Sequence, residues 1–204
     1  MLIANNDADG AVLLRCTALT IGFQRPLIGP LNLSLQVGER LLLTGPNGSG
    51  KSLLLCALTG SARIFSGQLA IESAALAYLA QEHPRPSPWP LSGHDWFAAM
   101  RTKAPTLPAI QALLTQRLDR LSGGQWQLLR LAAVLSSAQD SVGNPLILLD
   151  EPSNHLDAEV RATAVQLIRE LPHACTLLLT SHDQEFIREL GWSPTPMEQL
   201  LEHA

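Results

Sequence analysis

With 204 residues and a mass of 22.0 kDa, the chain can bury a proper core as one domain, with or without a small inserted lobe, and is too short for two full domains. Hydrophobic residues at 46% against 16% charged exclude disorder as the starting expectation. A net charge of -4 with a pI near 5.8 argues against the broad electropositive face of direct nucleic-acid binding, and no stretch approaches the ~18–20 continuous apolar residues of a membrane span.

The polar opening MLIANNDADG has no basic segment followed by an apolar run. It is expected to be a loose lead-in to a chain that stays in the cytoplasm without inserting into a membrane. Cys16, Cys56 and Cys175 form no C-x-x-C pair, which fits a reducing compartment and buried thiols better than disulfides or a metal cage. Ala11 to Leu19 reads as a strand, and Leu31 to Val37 alternates apolar and polar residues as a half-buried strand does. Val37 to Arg40 then turns into a buried strand from Arg40 to Thr44. GPNGSGKS follows, Gly45 to Ser52, and leads into an apolar helix from Ser52 to Thr59. It fits G-x-x-x-x-G-K-[ST], a loop whose backbone N–H groups wrap nucleotide phosphates. Gly45, Gly48 and Gly50 permit its turns, with Pro46, Asn47 and Ser49 between them. Lys51 supplies a point charge for the outer phosphates, and Ser52 offers a hydroxyl to Mg²⁺. A strand feeding a helix N-terminus is the context this motif requires.

Gly60 and Gly67 are expected to mark turns around Ile64 and Phe65, ahead of short strands from Gln68 to Ile71 and from Leu76 to Leu79. Glu82 to Pro90 holds four prolines and reads as a linker. From Ser92 to about Arg120 the pattern is helical, interrupted at Pro105 and Pro108. Leu121-Ser122-Gly123-Gly124-Gln125 precedes a helix from Trp126 to Leu135, and Ser136 to Asn144 reads as a polar loop. Pro145 to Leu149 is a continuous apolar run ending in Asp150-Glu151, as expected of a strand covered on both faces in a parallel sheet. An amphipathic helix from Ala158 to Leu171, a second buried strand from Cys175 to Thr180 and a short helix from Asp183 to Leu190 complete the pattern. Strands alternating with helices imply an α/β fold with a mostly parallel sheet. The chain divides into a core at 11–82 and 145–191, a helical lobe at 83–144 and a short tail at 192–204. Asp150 is placed to hold Mg²⁺ through its water shell, and Glu151 to orient an attacking water. His182 follows the second buried strand and should reach the same edge of the sheet.

GPNGSGKS, LSGGQ, LILLDEP, SNHLD and TSHD occur in that order between roughly Leu19 and Ile187, and together they resemble the nucleotide-binding domain of the ATP-binding cassette (ABC) family. The resemblance implies a P-loop NTPase core with a small antiparallel β region and an inserted helical lobe, binding ATP and Mg²⁺. It implies that Ser122, Gly123, Gly124 and Gln125 cover the γ-phosphate held by a second copy, giving a homodimer around two ATP with Ser153 to Asp157 along its interface. His182 would hydrogen-bond the γ-phosphate and help fix the water and Glu151, and Gln81 would touch Mg²⁺ and link the site to the helical lobe, with the proline run behind it as hinge and docking surface. Phe23 would stack on adenine, its other reading being core, and Arg25 is a lesser candidate for phosphate or ribose. The four tryptophans read as packing, although Trp89 and Trp96, if exposed, would mark a docking face. Leu53 stands where the family often has threonine, and the short C-terminus is expected to thin the support beneath the final strand. The implied function is the ATP-hydrolysing subunit of an ABC transporter, at the inner face of the membrane beside a separate transmembrane permease. Trp126 and the 136–144 loop lean toward importer ATPases for metal chelates and cobalamin. EPSNHLD and the brief Gly67 to Gln81 segment instead resemble the non-transport branch that acts on ribosomes. A cassette that binds nucleotide without turnover is opposed by Lys51, Asp150, Glu151 and His182.

Overall fold

A computed structural model describes residues 11–81 and 90–201. The opening segment, nearly all of the proline run and Trp89 lie outside the described residues. Strands β1 (Val12–Gly22), β2 (Pro26–Gln36) and β4 (Arg63–Ile71) form an antiparallel sheet in the order β2-β1-β4. Strands β3 (Arg40–Thr44), β5 (Leu76–Leu79), β6 (Leu146–Asp150), β7 (Thr176–Thr180) and β8 (Pro194–Pro196) form the second sheet, ordered β5-β6-β7-β3-β8. Every pair in it is parallel. The fold is therefore α/β with a parallel sheet and a small antiparallel one, as the alternating pattern implies.

Each residue of β6 and β7 is buried, and the pleat shares their side chains between two cores. Ile147, Leu149, Leu177 and Leu179 pack toward helices α4 (Gly123–Gln139), α5 (Ala158–Arg169) and α6 (Gln184–Leu190). Leu146, Leu148 and Leu178 pack on the other face, with helix α1 (Lys51–Leu58) and the antiparallel sheet. Covering both faces explains the unbroken apolar runs. It also forces the functional residues to the strand ends, where the chain leaves the core.

The helical lobe contains α2 (Gly93–Ala99) and α3 (Pro108–Leu114). Ser92 caps α2 in a reciprocal box with Asp95, and Pro108 opens α3, a position where the missing N–H costs nothing. Trp96 and Trp126 meet edge to face at 4.8 Å, so Trp96 is packing and not a free docking residue. Trp192 lies under the Arg40 guanidinium at 5.7 Å.

Three local expectations fail. Gly67 does not end a turn: β4 runs through it, because the partner strand bulges between Thr17 and Thr20. With φ at +84°, Gly67 lies against the Ala18 carbonyl, which a Cβ would approach to 2.3 Å. The helix after LSGGQ is longer at both ends than expected, beginning at Gly123 and continuing to Gln139. Its start is set by a reciprocal capping box, Ser122 with Gln125, which offsets the poor helix propensity of two glycines. Finally, the short C-terminal segment does not leave the support of the sheet thin. β8 pairs with β3, Leu201 bridges to Leu31, and Met197 is 1% exposed within the core beside the antiparallel sheet.

Met197→Ala is expected to cost about 2–5 kcal/mol, as other deletions of a buried methionine side chain do. The midpoint of cooperative urea unfolding measures this, and a change within error would return the segment to the status of a tail.

Candidate functional site

Strand β3 delivers the loop 45–50 directly to the first turn of α1. Gly50 is the N-cap at φ +98°, and an added Cβ would fall 1.7 Å from Ile28 Cδ1. Glycine here serves the left-handed turn, and the Ile28 side chain of β2 fills the space beside it. Lys51 is 6% exposed. Its Nζ donates to the Gly45 and Pro46 carbonyls at 2.9 and 3.2 Å and stands 3.9 Å from Glu151 Oε1. The cation is thus held inside the loop, beside the second acid.

Parallel pairing sets Asp150 beside Thr180 and Leu43 beside Thr180 on the other flank. The carboxyl ends of β3, β6 and β7 therefore coincide. Asp150 Oδ1 accepts from Ser52 Oγ at 3.0 Å and from Thr180 Oγ1 at 2.8 Å. Glu151 has φ +49°, a conformation costly for a residue with a Cβ. Its amide donates to the Thr180 carbonyl at 3.2 Å and to Thr180 Oγ1 at 3.1 Å. The Glu151 carboxylate then meets His182 Nδ1 at 2.8 Å and the His182 amide at 3.2 Å. The acid is buried, while the His182 side chain is half exposed and reaches outward from it.

These groups border a cleft of about 520 Å³ lined by Asn47, Gly48, Gly50, Lys51, Ser52, Gln81, Glu151 and His182, with Phe23, Leu27, Ile28 and Leu53 as its apolar wall. Phe23 is 56% exposed, which fits a stacking platform and not a core residue. Gly45 and Pro46 face Lys51 through their carbonyls. The Ser49 hydroxyl is buried with no hydrogen-bond partner among the described residues. Arg25 does not line the cleft.

The LSGGQ residues are elsewhere. Ser122 and Gln125 line a separate groove with Asp157, Val160 and Thr163, and Gly124 packs against the backbone of His155. One chain therefore brings Lys51, Ser52, Gln81, Asp150, Glu151 and His182 together and leaves Ser122 to Gln125 apart. Three contributors escaped the sequence reading: Leu27, Ile28 and Thr180. A threonine ending an apolar strand two residues before His182 was the available signal for the last.

Ser52, Asp150 and Gln81 offer only oxygen donors to a metal, the chemistry that suits Mg²⁺. No group of three His, Cys, Asp or Glu capable of holding a metal occurs among the described residues. Burial raises the Asp150 carboxyl above its ordinary value. The bonds from Thr180 and Ser52 oppose that shift, the Glu151 charge adds to it and Lys51 opposes it.

A family model described as ABC transporter matches residues 28–154. The Probable ATP-binding protein YbiT of Escherichia coli O157:H7 is 34% identical over 189 residues, covering 87% of this chain and 34% of that protein. The chain thus spans about a third of that relative's length. The Zinc import ATP-binding protein ZnuC of Marinobacter nauticus is 32% identical over 185 residues, 86% of this chain and 70% of that one. Among solved structures, a nucleotide-free ATP-binding cassette from an ABC transporter aligns with a TM-score of 0.68 at 18% identity, covering 88% of this chain and 85% of the other. That likeness speaks for the fold.

A raised folded pKa means that ionised Asp150 destabilises the metal-free fold. The penalty is absent below the ordinary value of 3.8 and develops as the pH rises through the folded value. Asp150→Asn, whose amide oxygen can still accept from Ser52 and Thr180, should therefore melt higher than the parent at neutral pH in chelator. The two melting curves should converge as the pH approaches 3.8. Thermal unfolding across that range checks it.

Proposed function

The chain belongs to the ABC transporter family, and on that premise we propose that it is the ATP-hydrolysing subunit of a transporter, closing with a second copy around two Mg-ATP to drive a separate membrane permease. The observation that carries this is the joined set at one sheet edge. Lys51 stands beside Glu151, Glu151 meets His182 and Ser52 bonds to Asp150 at one cleft, while Ser122 and Gln125 of LSGGQ face another groove of the same chain. Such a site is half complete, and a second copy supplies the missing half.

In this reading the amides of the 45–50 loop and the start of α1 hold the β- and γ-phosphates. Lys51 exchanges the Gly45 and Pro46 carbonyls for phosphate oxygens. Mg²⁺, held by Ser52, Asp150 and Gln81, would neutralise charge on the phosphates. Glu151 accepts a hydrogen bond from the attacking water, and His182, bonded to Glu151, keeps that carboxylate and the γ-phosphate in register. Adenine stacks on Phe23 between Leu27 and Ile28. Ser122 at the capped start of α4 has a helix N-terminus to offer the partner's γ-phosphate.

Among the described residues no helix is long and apolar enough to cross a membrane. In this reading the membrane-spanning permease is a separate partner, with this chain peripheral to it on the cytoplasmic side. The name of the ZnuC relative supports an import system. A second reading, a non-transport ATPase acting on ribosomes, draws on EPSNHLD and the brief Gly67 to Gln81 segment.

Glu151→Gln is expected to slow ATP hydrolysis about 10²–10⁴-fold and to accumulate an ATP-bound dimer on size exclusion, while unchanged turnover would remove Glu151 from its role. Affinity purification of the tagged chain from gently solubilised membranes should recover a permease. Recovery of ribosomes would favour the second reading.

A further inference from the structure

Helix α4 carries a buried cation that the proposed reaction does not use. Arg130 is 5% exposed, and its hydrogen-bond partners are neutral: Gln127 Oε1 at 2.8 Å and the Ala80 carbonyl at 2.7 Å. Burial makes its charged form less favourable, with Tyr78 acting in the other direction. A guanidinium in such a place is expensive, and an apolar side chain of similar volume would commonly be at least as stable. Its contacts are informative. Ala80 immediately precedes Gln81, which lines the cleft. Gln127, equally buried, extends the chain of contacts through Nε2 to the Pro152 carbonyl at 3.5 Å, and Pro152 immediately follows Glu151. The helix that begins at the LSGGQ cap thus contacts the backbone beside two residues of the cleft, just past the ends of the neighbouring strands β5 and β6.

We propose that Arg130 and Gln127 are positioning residues, which tie the orientation of helix α4 to the placement of Gln81 and Glu151. The proposal rests on the hydrolytic reading of the cleft. A turn or shift of α4 pulls on both carbonyls, so contact made at Ser122 to Gln125 is passed to the metal-side and water-side groups together. The planar fork of Arg130 suits this, because it holds a side-chain oxygen and a backbone oxygen at once.

The test compares Arg130→Met, Arg130→Lys, Gln127→Leu, Gln81→Ala and the double variant Arg130→Met/Gln81→Ala. In nucleotide-free protein, Arg130→Met should speed amide hydrogen exchange at 79–81 and 151–154 and leave β3 and α1 unchanged. In turnover it should lower kcat about 10- to 100-fold, with ATP KM held within about threefold, and raise the Mg²⁺ concentration needed for half activity. The double variant should fall below Gln81→Ala by less than the full Arg130→Met factor, since only the Glu151 branch is left to lose, and Arg130→Lys should recover part of the loss. Unchanged exchange at 79–81, or losses that multiply in the double variant, would overturn the proposal. If Arg130→Met fails to fold, Arg130→Lys and Gln127→Leu decide by the same exchange comparison. If the parent protein shows no hydrolysis, the enzymatic reading falls, and the exchange data still decide whether the tie exists.

Discussion

The hydroxyl of Thr180 donates to Asp150 at 2.8 Å and accepts the amide of Glu151 at 3.1 Å, so one side chain at the end of β7 sets both acids at the end of β6. A hydroxyl has one hydrogen to give and lone pairs to receive, and here both capacities are spent on adjacent residues turned toward different partners. Asp150 is turned toward Ser52. Glu151 is bent into a left-handed backbone conformation and meets Lys51 and His182. Without such a partner the strained backbone would relax, and the two carboxylates would leave the strand on opposite faces.

That arrangement depends in turn on a rigid sheet. β6 and β7 are buried throughout, with alternate side chains locked into separate cores. A shift of one residue in their pairing would move Thr180 away from Asp150 and exchange the two apolar faces. Close packing on both sides makes this register costly to change. Precision at the strand ends therefore comes from the leucines behind them. The segment 194–201 adds to this support by covering the edge of β3, the strand that carries the phosphate loop.

The LSGGQ segment follows a different logic. The Ser122 and Gln125 side chains each accept the other's backbone amide in a capping box, and its backbone rests on His155, another residue with positive φ. The helix start is thus finished as a local structure without reference to the cleft of its own chain. It connects to that cleft from behind, through Gln127 and Arg130 to the carbonyls of Pro152 and Ala80.

Apolar runs bounded by polar or glycine residues determined β3 and β5 at their observed limits and β6 and β7 to within one residue. The ordered motifs singled out side chains that the fold brings to one sheet edge, since the strand-to-helix context of GPNGSGKS and the acids ending LILLD are local properties. Tertiary structure decided what depends on residues far apart in the chain. Gly67 lies inside a strand because β1 bulges opposite it. The proline-containing segment at 194–196 is a strand because β3 has an edge to cover. Thr180 belongs to the site because parallel pairing seats it beside Asp150. Local sequence encodes the conformations a segment prefers, whereas the partner that fills a hydrogen bond or a Cβ's space is chosen only when distant segments pack.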